Sequence, residues 1–279
     1  MNRVAYCYYT NGKPGSHDYR ALSRAGLDRY LGDVPVFTLV AGREYKDRFK
    51  WENVIDATKF CCGLLGTDAE TLYNPWPGCC GSPAGLFAKY AIPLMPEFAG
   101  FDRVVVMDDD VEILSPRFAG AGNIALRPDA DVAMIARDWP ARPFSRIDMW
   151  KPERREWWTP GTRWHNGGLA VMRGGLLGTA DYRSRVREAF RMMAQHKFWL
   201  NEESAMNQFL SIQTIGPELC VVPKIRCGRQ LNWSYGAGRD LASKTAALHY
   251  PGGRKRVVYD AWARRVETGC PYDFSAFER

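Results

Sequence analysis

The chain has 279 residues, 46% of them hydrophobic and 25% charged, enough for a substantial core arranged as two small domains or one larger one. No apolar run approaches the roughly 18 residues of a membrane span, and no internal repeat or low-complexity tract is present, which sets aside membrane-spanning, solenoid and disordered classes. Thirty-eight Lys and Arg against 31 Asp and Glu leave a net charge of +7, which suits an anionic ligand, nucleic acid or an acidic membrane surface without choosing among them.

The first segment, "RVAYCYY" (3–9), reads as a strand, entered without the long apolar core of a signal peptide, so a cytoplasmic protein is expected. A polar turn, "TNGKPGSHD", leads to a helix over about 18–31 and a second unbroken apolar strand at 34–40, "VPVFTLV". Strand, helix, strand at this spacing predicts a βαβ unit and a parallel sheet. Two vicinal cysteine pairs follow, Cys61 with Cys62 and Cys79 with Cys80. Neither has the C-x2-C spacing of common zinc sites, and both pairs are read as free thiols.

Residues 82–100, "SPAGLFAKYAIPLMPEFAG", predict a helix interrupted by prolines that delivers the chain to "DRVVVMDDDVEIL" (102–114). There, four apolar residues with no alternation indicate a strand covered on both faces. Asp108, Asp109 and Asp110 end it, and neighbouring carboxylates repel and desolvate poorly unless a cation neutralises them. Alternation along an extended chain would aim Asp108 and Asp110 the same way, at one hard divalent ion held by oxygen ligands. A solvated acidic turn explains an isolated pair equally well.

Further strands are expected at 131–136 and 168–172, and helices at 181–196 and 202–211. Between them, residues 137–164 hold five of the ten tryptophans and four prolines, interleaved with arginine and lysine and lacking periodicity. Such an irregular insertion, rich in rings and cations, reads as a substrate-binding loop or lid, with a self-packed surface excursion as the alternative.

Downstream come "HNGGLAVMRGG" (165–175), "NEESAMNQFL" (201–210) and "HYPGGRKR" (249–256). In order and spacing, with "YYTN" and the aspartate segment, they resemble the retaining glycosyltransferases of family 8, which include glycogenin and bacterial lipopolysaccharide galactosyltransferases. The resemblance covers residues 3–256 and implies the GT-A fold, a Rossmann-like, mostly parallel central sheet flanked by helices. It implies one domain over 1–279, with a nucleotide-binding part at about 1–115 and an acceptor-binding part at about 116–279 that carries the insertion.

By motif, the resemblance makes Asp108, Asp110 and His249 the ligands of Mn²⁺ or Mg²⁺. Thr10, Asn11, Lys89, Asp108, Asp109, Asn166, Gly167, Gly252 and Lys255 become contacts to the nucleotide and donor sugar, with Gly167, Gly168 and Gly253 permitting close approach. Glu202 matches a sugar-binding aspartate of the family. Glu203 matches the glutamine beneath the anomeric carbon, where a carboxylate is expected to stabilise an oxocarbenium-like transition state electrostatically rather than trap it. Lys255, which opens "KRV" where the family has Lys-Pro-Trp, would assist the leaving diphosphate. The implied activity is metal-dependent, retaining transfer of a hexose from a UDP-sugar to a hydroxyl of a glycan, glycolipid such as lipopolysaccharide, or protein. A sugar nucleotidyltransferase, or a non-catalytic nucleotide-sugar or glycan-binding protein of the same fold, is the alternative. No nucleic-acid partner is expected; peripheral membrane association fits the positive charge.

Overall fold

The structure is a computed structural model that describes residues 3–10, 19–42, 53–73, 84–137, 164–175, 180–196, 206–207, 209–215, 220–222, 245–250 and 255–273. The chain opens with β1 (Val4–Thr10), α1 (Arg20–Leu31) and β2 (Val36–Val40), then β3 (Asn53–Asp56), α2 (Thr58–Leu65) and α3 (Ala69–Tyr73). A broken run of helical turns over 84–98 contains α4 (Ala88–Ala91) and leads into β4 (Arg103–Met107) and β5 (Val111–Ile113). Pro93 and Pro96 stand in the first turns of the last two 3₁₀ pieces, where a missing N–H costs nothing but a continuous α-helix cannot pass. After a 3₁₀ run at Pro116–Asn123 come β6 (Val132–Arg137), β7 (Trp164–Met172), α5 (Ala180–His196), β8 (Ile212–Thr214), β9 (Cys220–Val222), β10 (Thr245–His249) and α6 (Lys255–Thr268).

Among the described residues, seven strands form the central sheet in the order β3-β2-β1-β4-β7-β6-β8. β3, β2, β1 and β4 are parallel, as the βαβ reading requires, and β6 is parallel to β8. β7 runs antiparallel to both β4 and β6, which leaves the sheet mostly parallel, as the resemblance implies. A second sheet, β5-β10-β9, carries the chain away from the end of β4.

The unbroken apolar runs are explained by two cores, one on each face of the central sheet. Cys7, Tyr9, Val104, Val106, Ala170 and Met172 enter one, covered by α2, the 84–98 turns and α5. Tyr6, Tyr8, Val105, Met107, Leu169 and Val171 enter the other, closed by Leu27 of α1, Phe118 and the β5–β10 pair. All four residues at 104–107 are fully buried, which stabilises β4 by about 6–12 kcal/mol at roughly 1.5–3 kcal/mol per side chain. Cys61 and Cys62 lie on α2 and form no disulfide among the described residues; Cys79 and Cys80 fall outside them. Most of the tryptophan-rich insertion does too, the chain being described up to Arg137 and again from Trp164. Among the described residues, no helix is long and apolar enough to cross a membrane.

Candidate metal centre

β4 stops at Met107, and residues 108–110 turn from the central sheet into β5 of the second. The convergence of Asp108 and Asp110 is therefore the work of a turn rather than of strand alternation. Asp108 donates its backbone N–H to Gly168 O at 2.9 Å, and Asp110 O accepts the N–H of Tyr250 at 3.0 Å. The antiparallel β5–β10 ladder sets His249 opposite Val111, one residue beyond Asp110. Beneath this ladder Glu112 is buried and fully engaged, accepting from Arg265 Nε at 2.9 Å, Arg265 Nη2 at 2.6 Å and Tyr250 Oη at 2.5 Å.

His249 Nε2 lies 3.2 Å from Asp110 Oδ1 and 3.5 Å from Asp108 Oδ2. One ligand atom from each of the three residues fits within 4.8 Å of the other two. The shorter separations approach the ~3.0 Å edge of an octahedron built on bonds of about 2.1 Å, and two carboxylates with one imidazole suit Mg²⁺ or Mn²⁺. Asp110 and His249 are each 2% exposed, and both ring nitrogens of His249 are buried without a well-aligned hydrogen bond among the described residues. The donor set thus fits a divalent cation.

The electrostatics lead to the same conclusion. Burial disfavours a charged imidazole, but the carboxylates of Asp110 and Asp108 outweigh it and raise the pKa of His249 to about 9. Burial also disfavours charge on Asp108, yet Lys89 and His249 hold its carboxyl well below the usual range. A proton on His249 therefore does part of the neutralising that a divalent ion would do.

Lys89, on α4, is 1% exposed, and its Nζ donates to Asp108 Oδ1 at 3.1 Å and to Gly167 O at 3.2 Å. The structure brings it to the acidic pair, a pairing that its place on a proline-interrupted helix did not announce. The "HNGG" segment, which sequence alone reads as a turn, lies in strand β7. Its second glycine has a steric purpose: a Cβ on Gly168 would stand 2.0 Å from His249 Cε1 and 2.4 Å from both ring nitrogens. Thr10 ends β1 two residues beyond Tyr8, which pairs with Met107, so it shares the sheet edge of the aspartates. Asp109 is half-buried at the middle of the turn, and Lys255 supplies the first residue of α6. Asn11, Glu202, Glu203, Gly252 and the side chains of Asn166 and Lys255 lie outside the described residues.

No protein-family profile matches the sequence. No curated protein matches it significantly. Solved structures do. The galactosyltransferase LgtC, crystallised with donor and acceptor sugar analogues, superposes with a TM-score of 0.61 at 10% identity over 95% of each chain. The bifunctional glycosyltransferase WbbM gives 0.57 at 15% identity, over 95% of this chain and 50% of that one. The glycosyltransferase GlyE of Streptococcus pneumoniae TIGR4 gives 0.53 at 14% identity, over 96% of this chain and 63% of its own. The sequence resemblance anticipated neighbours of this kind, and the likeness at this identity is one of fold: the chain has the GT-A glycosyltransferase fold.

Proposed function

We propose that the protein is a metal-dependent, retaining glycosyltransferase that moves a hexose from a UDP-sugar to a hydroxyl of a glycan, lipopolysaccharide or protein acceptor. The observation that carries this reading is the meeting of Asp108, Asp110 and His249 at the C-terminal edge of a GT-A sheet, where open α/β folds bind ligands. Asp108, Asp110 and His249 would hold the ion, and Lys89 keeps Asp108 ionised and fixed. A bound Mn²⁺ or Mg²⁺ would supply Lewis-acid stabilisation of the nucleoside diphosphate as it leaves.

Around that centre, Thr10, Asn11, Lys89, Asp109, Asn166, Gly167, Gly252 and Lys255 are assigned to the nucleotide and donor sugar, and Glu202 and Glu203 to the sugar and its anomeric centre. These assignments rest on the sequence resemblance. LgtC was crystallised with donor and acceptor sugar analogues, which favours a donor and an acceptor here as well. We read the chain as one domain, assign the acceptor to the part at about 116–279, and take residues 137–164 to cover the acceptor or to close over the donor. Supporting this, Arg137 of β6 pairs with Trp164 of β7, so the segment leaves and returns at neighbouring positions two residues from Asn166.

The test is a panel of nucleotide sugars incubated with Mn²⁺ and the protein, followed by NMR of the products. One UDP-hexose should yield UDP and a free sugar released first as the retained anomer, and Asp110→Asn should cut this hydrolysis by about 10²-fold or more. Binding without turnover would identify a nucleotide-sugar-binding protein, and pyrophosphate release a nucleotidyltransferase. Absence of Mn²⁺-dependent binding to every nucleotide sugar would overturn the reading.

A further inference from the structure

We propose that Arg103 and Arg173 form a phosphate-binding site at the edge of the central sheet opposite the aspartates, one that takes the phosphate of a soluble phosphomonoester or of a lipid headgroup. The inference is independent of the metal-centre reading.

β4 runs from Arg103 to Met107, so at roughly 3.3 Å per residue its first position lies about 16 Å from Asp108. Its antiparallel ladder with β7 sets Val104 opposite Met172, and the next position on each strand brings Arg103 beside Arg173 at the end of the sheet. Like charges facing each other across paired strands repel. Burial, and after it the charge of Arg173, lower the pKa of Arg103, and Asp102 offsets them only in part. Among the described residues, neither guanidinium forms an ion pair with a carboxylate. The carboxylates nearby are engaged elsewhere. Asp102 Oδ2 accepts the backbone N–H of Arg3 at 2.8 Å, and Asp129 stands 3.4 Å from Arg127 Nε. Asp131, beside the β6 residue that pairs with Met172, holds Arg185 Nη2 at 2.5 Å and the N–H of Ser211 at 2.8 Å.

Both side chains are half-buried and already held in place. Arg103 Nε donates to Ile124 O at 3.1 Å and its Nη1 to Asp102 O at 2.7 Å. Arg173 Nη2 donates to Leu126 O at 2.9 Å and to Arg127 O at 2.6 Å. The backbone after Arg173 is fixed as well, since a Cβ on Gly174 would stand 1.9 Å from Phe101 O. These bonds leave donors to spare. Arg103 Nη2 and Arg173 Nε and Nη1 donate to nothing among the described residues, and all three atoms reach solvent. Clamping a carbonyl needs a donor but not a charge. Two uncompensated guanidiniums side by side, each pre-positioned with free N–H groups, instead suit an anion shared between them. Phosphate fits this arrangement: its oxygens match the planar fork of a guanidinium, and its charge of about −1.5 to −2 as a monoester neutralises the pair.

The experiment titrates inorganic phosphate into the protein in EDTA by calorimetry, with chloride at equal ionic strength as the control for screening. It compares the unaltered protein with Arg103→Gln and Arg173→Gln, which remove the charge and keep an amide donor for the carbonyls, and circular dichroism reports folding. The unaltered protein should bind phosphate and not chloride. Each glutamine variant should weaken phosphate binding by about tenfold or more, the scale for losing a hydrogen bond to a charged group. Arg173→Lys keeps the charge without the fork and should also bind phosphate more weakly than the unaltered protein; it stands in if a glutamine variant does not fold. Flotation with phosphatidic acid vesicles, against phosphatidylcholine vesicles, separates the two sources. Flotation lost in the glutamine variants assigns the site to a lipid headgroup, whereas flotation that is absent or unaffected by them, beside a weakened phosphate titration, assigns it to a soluble phosphomonoester. No phosphate binding beyond the chloride control, or equal phosphate affinity in the unaltered protein and the folded variants, would overturn the proposal.

Discussion

Gly168→Ala tests the site with a single methyl group. Its Cβ would stand 2.0 Å from His249 Cε1, against about 3.4 Å for ordinary contact, so the ring or strand must give way by about 3.4 − 2.0 = 1.4 Å. Neither yields readily. His249 is buried against Asp108 and Asp110, and Gly168 is held through its carbonyl by Asp108. Overpacking of this kind costs about 1–3 kcal/mol, which for a chain of this size lowers Tm by roughly 2–10 °C. The effect on metal should be larger, because ligand distances tolerate only about 0.2 Å and a 1.4 Å retreat removes His249 from the coordination sphere. Mn²⁺ affinity, measured by calorimetric titration, should fall by about 10²-fold or more. The clash is specific to the imidazole, so Gly168→Ala combined with His249→Ala should be more stable than the sum of the single losses predicts, by about 1–3 kcal/mol. A Gly168→Ala protein with the original Mn²⁺ affinity and Tm would refute the steric argument.

Lys89→Met keeps most of the stem and deletes the charge, leaving Asp108 with His249 as its remaining described counter-charge. We expect a loss of about 2–4 kcal/mol in EDTA, near the lower end for breaking a buried pair because the Asp108 side chain is 31% exposed. Saturating Mn²⁺ should shrink the loss, and an equal loss with and without the ion, measured by denaturant unfolding, would contradict the role given to Lys89. The raised pKa of His249 also sets a pH dependence. Its protonation stabilises the metal-free fold fully below its ordinary value of 6.5, and that contribution is lost as pH rises through about 9. Tm in EDTA should therefore fall between pH 7 and 10, with the His249→Gln protein showing a flatter profile. For the same reason Mn²⁺ uptake at pH 7.5 should expel nearly one proton, seen as a calorimetric heat that varies with the ionisation enthalpy of the buffer. A buffer-independent heat would show that His249 is already neutral.

What the sequence determined by itself follows from local composition. The unbroken apolar runs in β1 and β4 require cover on both faces and so announce the two cores, and the prolines at 93 and 96 announce a broken helix. Three consecutive aspartates after a buried strand suit a cation or a solvated acidic turn equally well, because chain-adjacent carboxylates repel where they are buried and are screened where water reaches them. Tertiary structure decided the rest, because the rest depends on contacts between distant segments. Nothing local shows that β7 runs antiparallel, that the aspartates converge through a turn, or that β5 pairs with β10 and seats His249 beside Asp110. Gly168 looks like a turn glycine until an imidazole stands over its Cα, and Lys89 like a solvated lysine until Asp108 and the Gly167 carbonyl close on it.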